Sequence, residues 1–328
     1  MNVLVIGGAG YIGSHVVYEL ADAGHKVTIL DNFSTGLHEN VDPRACLVEG
    51  DMQDHALVRS LLKKGDSCDK HQPFDAVFHF AALKAAGESM THPEVFTEAN
   101  LIATMHLLNL MSENDIRRFV FSSSAAVYGN PEYLPIDEAH PQKPINYYGY
   151  TKLAIEHTLE WYSKLKGLRF AALRYFNAAG YDVKGRVRGK EQNPANLLPI
   201  VMEVAAGNRD MMQVFGDDYP TRDGTCIRDY IHVSDLASAH LKAMDYLVNE
   251  DKDLVINLAT GEGYTVLEVI REAEKVSGLS ITRETTERRP GDPADLVATS
   301  TLALDTIGWK AQYSDIHTLV SSMWEVYK

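Results

Sequence analysis

A tyrosine and a lysine four positions apart, Tyr148 and Lys152, are the residues of this sequence best suited to proton transfer. On a helix this spacing puts both side chains on one face. A nearby ammonium stabilises a phenolate and lowers the tyrosine pKa from its reference of about 10. The tyrosine can then act as a general base near neutral pH, and a hydroxyl from the serine run at 122–124 can bridge it to a substrate. We therefore predict that Tyr148 and Lys152 are catalytic.

The same spacing occurs again at Tyr162 and Lys166, so the pair alone is a weak signal. Context separates the two matches: Tyr148 opens a predicted helix after a strand that ends in serines, whereas Tyr162 lies near the far end of that helix. We predict no catalytic role for Tyr162. The histidines show neither His-x-His nor His-x-x-x-His spacing, so no metal site is expected, and His79 is expected to be a hydrogen-bonded core residue.

The element expected to hold a cofactor is a glycine-rich turn near the start of the chain. Residues 3–6 form an unbroken apolar run, which predicts a strand buried on both faces. Glycines follow at once, and then apolar residues at helical spacing. Strand, glycine turn and helix in this order form the context of a dinucleotide fingerprint, in which the backbone approaches a pyrophosphate and the helix N-terminus attracts it.

Asp31 indicates which dinucleotide is bound. It directly follows a second predicted strand, 26–30, about 20 residues beyond the glycines. The fingerprint places a carboxylate at this position, where it binds the ribose hydroxyls. A 2′-phosphate would meet a like charge there, and residues 32–36 contain no lysine or arginine to receive it. The sequence therefore predicts NAD rather than NADP.

Strands and helices continue to alternate as far as residue 176, which is typical of a doubly wound parallel sheet with ligands at the carboxyl ends of its strands. Further strands are expected at 45–51, 76–82, 119–124, 170–176, 212–215 and 254–258, and helices at 56–64, 93–111, 148–164, 196–206 and 236–247. The stretch 65–73 is polar and predicts a surface loop. We predict an α/β, Rossmann-type NAD-binding domain over 1–176, rejoined by parts of 232–260, and a smaller α+β substrate lobe over 177–328.

Composition limits the partners. The formal net charge of −14 argues against nucleic acid or an anionic membrane surface as a partner. Cys46, Cys68 and Cys226 show no pairing or metal-ligand spacing. The first strand begins at residue 2, which leaves no room for a signal peptide, and no long apolar span exists. These features predict a cytoplasmic protein with reduced thiols.

The motifs together resemble the extended short-chain dehydrogenase/reductase family and, within it, the 4-epimerases of UDP-sugars. The resemblance covers essentially the whole chain. The matching stretches are 10–15, 30–32, 83–89, 121–129, 173–177 and 228–233.

This resemblance implies NAD-dependent interconversion of UDP-galactose and UDP-glucose by inversion at sugar carbon 4. Tyr148 would take the proton of the 4-hydroxyl while hydride passes to a tightly held NAD. The transient 4-keto sugar would then receive hydride on its other face. Lys152 would lower the pKa of Tyr148 and hold the nicotinamide ribose, and Ser124 would bond the sugar 4-oxygen.

The resemblance also implies two sets of binding residues. Those expected at NAD are Gly7, Gly10, Tyr11, Ile12, Gly13, Asp31, Asn32, Asp51, Met52, Phe80, Ala81, Lys84, Asn100, Ser122, Tyr148, Lys152 and Tyr175. Those expected at the UDP-sugar are Lys84, Ser124, Tyr148, Asn177, Asn196, Leu197, Gln213, Phe215, Arg228, Arg289, Asp292 and Leu296. The arginines suit a pyrophosphate, which needs nearby guanidinium groups in an acidic protein.

Two alternative functions are open at this point. A 4,6-dehydratase on the same scaffold usually carries Asp-Glu directly after the serine, where this chain has Ala125 and Ala126. A non-catalytic NAD sensor or scaffold would have no need of Tyr148, Lys152 and Ser124 together. The resemblance further implies a homodimer that pairs the helices around 93–111 and 148–164. It also places Leu296 at the position that limits the sugar 2-substituent.

Overall fold

The computed structural model describes residues 1–65, 72–191, 194–289 and 292–328. Its strands are β1 (Asn2–Ile6), β2 (Lys26–Asp31), β3 (Cys46–Glu49), β4 (Ala76–His79), β5 (Arg118–Ser124), β6 (Arg169–Tyr175), β7 (Asn177–Ala179), β8 (Met212–Phe215), β9 (Ile227–His232), β10 (Leu254–Leu258), β11 (Gly263–Thr265), β12 (Arg283–Thr286) and β13 (Asp295–Leu296). Its helices are α1 (Tyr11–Asp22), α2 (His55–Lys64), α3 (Ala86–Ser89), α4 (Pro93–Phe96), α5 (Ala103–Glu113), α6 (Tyr147–Lys166), α7 (Leu197–Ala205), α8 (Val233–Asn249), α9 (Val266–Ser277), α10 (Thr301–Ile307) and α11 (Ile316–Tyr327).

The chain forms two compact units. The first contains Met1–Gly129, Pro141–Arg174 and Ala237–Ile256. The second contains Asn130–His140, Tyr175–Leu236 and Asn257–Lys328. The assignment of NAD to one part of the chain and of the sugar nucleotide to the other stays a prediction.

A seven-stranded sheet, ordered β10-β6-β5-β4-β1-β2-β3, is the framework of the first unit. The pairs β1–β2, β1–β4, β2–β3 and β4–β5 are all parallel. This confirms the predicted doubly wound sheet, including the return of 254–258 to it. The strand order reverses at β1, which has β2 on one side and β4 on the other. Ligands of doubly wound sheets bind at such a reversal.

The core of the first unit follows from the apolar runs of its strands. All five residues of β1 are buried, as a parallel strand covered on both faces requires. Phe119 and Phe121 of β5 pack in one cluster with Leu107 of α5 and Leu159 of α6. This packing holds the carboxyl end of β5 and the first turn of α6 in fixed positions.

The second unit is built around β9. Strand β9 pairs antiparallel with β11 and parallel with both β7 and β13. A separate parallel pair joins β8 and β12. Helices α7, α9 and α11 pack against one another. The α+β character predicted for this half is confirmed.

Three sequence predictions need comment. The helix expected over 93–111 is interrupted, because Thr97–Ile102 forms a wide π-type turn between α4 and α5. Cys226 is a free, buried thiol, as predicted, and Cys68 lies outside the described residues. The predicted loop at 65–73 lies largely outside the described residues. None of the described helices is both long and apolar enough to cross a membrane.

Candidate active site

Tyr148 lies in the first turn of α6, and its backbone is fixed on two sides. The Asn146 side chain caps the helix by accepting from the Gly149 N–H at 2.8 Å. The Tyr148 N–H donates to the Ser89 hydroxyl at 3.1 Å. A Cβ on Gly149 would lie 2.4 Å from the Ala126 carbonyl oxygen, so glycine lets α6 approach the turn that follows Ser124. The Tyr148 side chain remains partly exposed.

Lys152, one turn further along α6, is almost completely buried at 3% exposure. Its ammonium donates to the Ser122 carbonyl at 2.7 Å. The same nitrogen lies 4.7 Å from the ring centroid of Phe121 and 5.8 Å from that of Tyr148. Burial lowers the pKa of Lys152 to about 7, although the charge of Glu156 acts in the opposite direction. The structure therefore brings the predicted pair together at the end of β5.

The pKa of Tyr148 differs from the sequence-based expectation. Desolvation of the phenol raises its pKa, and the hydrogen bond with Ser124 only partly offsets this effect. The pKa of Tyr148 is therefore raised in the folded chain, not lowered by Lys152 as predicted. The physical reason is that the phenolate loses its hydration, and an ammonium 5.8 Å from the ring centroid does not replace it.

The second Tyr-x-x-x-Lys match is in different surroundings. The Tyr162 hydroxyl donates to the Asn109 side-chain oxygen at 2.7 Å, which joins α6 to α5. Burial raises the pKa of Tyr162, and no charged group acts on it in the opposite direction among the described residues. These contacts give Tyr162 a packing role.

The glycine turn has the shape that an anion site requires. Gly7 has φ +79°, and a Cβ there would lie 2.7 Å from the Ala81 nitrogen. A Cβ on Gly13 would lie 2.1 Å from the Gly7 carbonyl oxygen. At Gly10, by contrast, a Cβ would meet the Gly7 oxygen at 3.3 Å and no other atom of the described residues beyond its chain neighbours within 4 Å. Helix α1 begins at Tyr11 with neither a side-chain cap nor an acidic residue in its first turn, so its positive end is available to a phosphate.

Asp31 is fixed beside this turn. Its carboxylate accepts from the Ala9 N–H at 2.8 Å and from the Phe33 N–H at 2.9 Å. Asn32 donates to the Asp51 carboxylate at 2.8 Å. A carboxylate has about four acceptor sites, so Asp31 can still accept from ribose hydroxyls. These residues fit an adenosine without a 2′-phosphate.

Asn100, predicted at the cofactor, has a clear structural role. It is fully buried, its side-chain oxygen accepts from the Leu83 N–H at 2.9 Å, and its amide donates to the Leu83 carbonyl at 3.0 Å. It therefore fixes the segment that leads to Lys84, which is exposed. His79 is buried and pairs with the Thr104 hydroxyl at 2.9 Å, which confirms its prediction as a hydrogen-bonded core residue.

The other residues predicted at NAD lie at strand ends. Phe80 and Ala81 directly follow β4, and the Phe80 ring centroid is 4.9 Å from that of His240. Met52 is buried in the core cluster. Tyr175 ends β6, is buried, and belongs to the second unit. Their contacts with a cofactor stay predictions.

The second unit contains a pocket of about 520 Å³. Eight residues predicted at the UDP-sugar line it: Asn177, Asn196, Leu197, Gln213, Phe215, Arg228, Arg289 and Asp292. Sequence reasoning missed several others, including Arg209, Met211, Cys226 and Tyr230. Arg209 is in the loop after α7 and carries no motif, so only the folded chain reveals its position.

The pocket contains charged side chains and an aromatic ring. Arg228 forms an ion pair with Asp292. The Arg289 guanidinium carbon lies 3.9 Å from the ring centroid of Phe215. Arginine suits phosphate groups, and an aromatic face suits a nucleobase. Leu296 is partly exposed and lies opposite Arg228 in the pairing of β13 with β9.

Within the described residues, no group of three or more His, Cys, Asp or Glu side chains could hold a metal ion. At the end of β5 the structure brings together a phenol, an ammonium and a hydroxyl, from Tyr148, Lys152 and Ser124. A doubly wound sheet with a Tyr–Lys pair at this position defines a dinucleotide-dependent enzyme of the dehydrogenase/reductase type.

Comparison with known proteins agrees. The model of the NAD dependent epimerase/dehydratase family matches residues 3–259, and the chain belongs to that family. A UDP-glucose 4-epimerase of Halalkalibacterium halodurans is 44% identical over 100% of this chain and 96% of its own length. The family confirms NAD as the cofactor. The family and this relative together confirm that the protein is an epimerase.

Solved structures extend the similarity to the whole fold. UDP-glucose 4-epimerase from Brucella ovis in complex with NAD has a TM-score of 0.94 and 42% identity, over 99% of this chain and 98% of that one. The enzyme from Bifidobacterium longum in complex with NAD+ and UDP has a TM-score of 0.91 and 38% identity, over 99% and 98%.

Proposed function

We propose that this protein interconverts UDP-galactose and UDP-glucose by inverting carbon 4 of the hexose. The observation that carries the proposal is the Tyr148 phenol, which is hydrogen-bonded to Ser124 and has the buried Lys152 ammonium 5.8 Å from its ring centroid. A hydroxyl can be oxidised only if a base removes its proton as hydride leaves its carbon. Tyr148 is the group that can accept that proton and later return it.

The first unit would bind NAD, and its residues fit this group. The open space at Gly10 and the uncapped start of α1 suit the pyrophosphate, and Asp31 suits the adenosine ribose. NAD, when bound, supplies the reversible acceptance of hydride and a positive charge that favours phenolate at Tyr148. Lys152 does not lower the Tyr148 pKa on its own, but its ammonium would add to the positive charge beside the phenolate once NAD is bound. Ser124 would orient the sugar 4-oxygen.

The pocket of the second unit would hold the UDP part of the substrate. Arg228 and Arg289 would bind the pyrophosphate, and Phe215 would pack against the base. A substrate held by its nucleotide leaves the hexose free to turn, which inversion requires because hydride must return to the opposite face of carbon 4.

Elimination of water is disfavoured. The two residues after Ser124 are alanines, and Ala125–Val127 forms a short 3₁₀ turn without an acid or a base. A 4,6-dehydratase needs both an acid and a base, and neither of them follows Ser124 in this chain.

The decisive experiment uses the purified protein and UDP-galactose with no added cofactor. Appearance of UDP-glucose, resolved by anion-exchange chromatography, is expected because NAD would be carried by the protein and regenerated in each turnover. Release of NAD on denaturation, together with no conversion of the sugar, would instead support the NAD-sensing alternative and overturn the proposal.

We also propose that the protein is a homodimer that pairs helices of the first unit. Three apolar side chains on α6 support this: Tyr150, Trp161 and Leu165 are 50%, 61% and 71% exposed. Val95 and Ile102 are exposed on the neighbouring helical segment. Large exposed apolar residues clustered on adjacent helices are typical of interfaces. The cytoplasmic location stays a prediction from the sequence.

A further inference from the structure

Helix α6 carries a third buried functional group in line with Tyr148 and Lys152. Glu156 follows Lys152 by four residues, so the three side chains share one face of the helix. Glu156 is 3% exposed, like Lys152. A buried carboxylate beside a buried ammonium requires an explanation, because an isolated charge in a protein interior is strongly unfavourable.

Each of the three helix residues meets one serine of the run at the end of β5. Ser124 is hydrogen-bonded to Tyr148, and the Ser122 carbonyl accepts from Lys152. The Ser123 hydroxyl donates to the Glu156 carboxylate at 2.5 Å. Each residue of 122–124 at the end of β5 therefore contacts one residue on this face of α6.

Arg174 of β6 holds Glu156 from the other side. Its guanidinium forms a two-pronged contact with the carboxylate, at 3.0 Å from Nε to Oε1 and 2.5 Å from Nη2 to Oε2. Its remaining Nη1 donates to the Tyr128 hydroxyl at 3.0 Å. Both partners of this ion pair have side chains that are 4% exposed. Such a fork fixes the position and orientation of the Glu156 carboxylate.

We propose that Glu156 is a positioning residue that keeps the Lys152 ammonium charged and in place beneath Tyr148. The proposal deepens the proposed function, on which it rests. Arg174 and Ser123 fix the carboxylate, and the carboxylate in turn compensates the ammonium. Without it, Lys152 would have carbonyl and ring contacts but no opposite charge within the described interior.

Among the described residues, the titratable groups that interact with Lys152 are Tyr148 and Glu156 on α6 and His79 on β4. Tyr128 bonds to Arg174 of β6, which in turn bonds to Glu156. His79 has a pKa lowered to about 3, first by burial and then by the charge of Lys152, so it is neutral at working pH. Arg174 is matched by Glu156 itself. Glu156 is the carboxylate whose charge favours protonated Lys152.

The first test measures the titration midpoint of Lys152 directly. Lysines labelled with ¹³C at Cε are titrated by NMR, and the Lys152 signal is assigned by its loss in Lys152→Met. The wild-type midpoint is expected near 7, as the structure indicates. Glu156→Gln should lower it by about one pH unit or more, which is the size of effect that one nearby charge produces. Glu160→Gln, on the exposed side of α6, should leave it unchanged.

The second test is the pH profile of kcat. Because the variant loses its ammonium at lower pH, Glu156→Gln should be roughly tenfold slower than wild type at pH 8, and the deficit should shrink at lower pH. A purely structural role would lower the whole profile by a constant factor. Wild-type protein that turns over no UDP-sugar would refute only the proposed function, since the lysine titration needs no substrate.

A stability control keeps the inference falsifiable. Glu156→Gln leaves Arg174 buried without its partner, and breaking a buried pair is strongly destabilising. The double variant Glu156→Leu with Arg174→Met removes both charges, and such replacements are often neutral for stability. It should also lower the lysine midpoint, but by less than Glu156→Gln, because Glu156→Gln leaves the Arg174 charge unmatched. An unchanged Lys152 midpoint in whichever variant folds, or an equal shift in Glu160→Gln, would overturn the proposal.

Discussion

At the scale of single residues, Tyr148 and Tyr162 provide a matched pair on one helix. Tyr148→Phe removes one hydroxyl and leaves the packing of α6, so the fold and the bound NAD should persist. Activity should fall by ~100- to 10,000-fold, the usual contribution of general acid–base catalysis. The measurement is kcat for UDP-galactose, with NAD content determined on the same sample.

Tyr162→Phe is the control for that substitution. It breaks the hydrogen bond to Asn109, which is partly solvent-exposed, and touches no catalytic group. Its kcat should stay close to that of the wild type. Equal losses in the two variants would show that the site has been assigned to the wrong end of α6.

We predict that Leu296 limits which sugars fit. Leucine is branched, is intermediate in bulk, and offers no hydrogen-bond partner to an acetamido group. An acetamido group forced against it would overlap or remain unpaired, at a cost of ~1–3 kcal/mol. We expect kcat/KM for UDP-galactose to exceed that for its N-acetyl counterpart by roughly tenfold to a few hundredfold.

The matched variant is Leu296→Ser, which should bring the two kcat/KM values together. Its position opposite Arg228 puts Leu296 at one edge of β9, close to a residue of the pocket. If the unmodified enzyme already handles both sugars equally, either the alignment or the steric argument is wrong.

At the scale of elements, two substitutions in the glycine turn can distinguish an effect on folding from an effect on cofactor binding. An alanine Cβ at Gly13 would collide with the Gly7 carbonyl oxygen, whereas at Gly10 it would meet only one atom, at 3.3 Å. Gly13→Ala should therefore lower the free energy of unfolding of the cofactor-free protein by about 1–3 kcal/mol. Gly10→Ala should change it little, yet reduce bound NAD, because the methyl group occupies the space needed for the pyrophosphate.

Urea unfolding of the cofactor-free proteins and NAD content after purification check this pair. Gly87→Ala is the neutral reference, since a Cβ there meets no atom within 4 Å and its φ is ordinary. Full NAD occupancy in Gly10→Ala would contradict the assignment of this turn to the pyrophosphate.

Length explains some of the elements that could be read from the sequence, but β9 with six residues and α9 with twelve were not predicted. The buried strands of the first unit are continuous apolar runs, and their helices have clear periodicity, so both were predicted to within a few residues. The strands β7, β11 and β13 have two or three residues each, too few to show any alternation. They form through tertiary pairing with β9, which no local pattern encodes.

The interruption of the helix at 93–111 was missed for a related reason. A wide turn keeps helical spacing nearly intact, so the apolar pattern does not reveal it. Its Asn100 bonds both backbone groups of Leu83, a partner distant in sequence. The proximity of Tyr148 and Lys152 could be predicted because their spacing is local, whereas Glu156 and Arg174 are joined only in the folded chain.

At the scale of the whole molecule, the remaining question is how copies of the chain associate. The exposed apolar residues of α6 lie on one face, since Tyr150 and Trp161 are eleven residues apart, close to three full turns. Exposed tryptophan and leucine on a helix lose their contact with water when a second copy covers them. Light scattering after size-exclusion chromatography at micromolar concentration should therefore give twice the chain mass of 36.4 kDa.

Trp161→Glu places a charge in the centre of that face and should give monomers, because burying an unpaired carboxylate is costly. Leu279→Glu is the matched control: Leu279 is also exposed, at 46%, but lies in the second unit. It should leave the mass unchanged. The Trp161→Glu monomer should keep bound NAD and the catalytic residues, since all of them come from one chain. A wild-type protein that is monomeric at these concentrations, or a dimer that survives Trp161→Glu, would reject α6 as the interface.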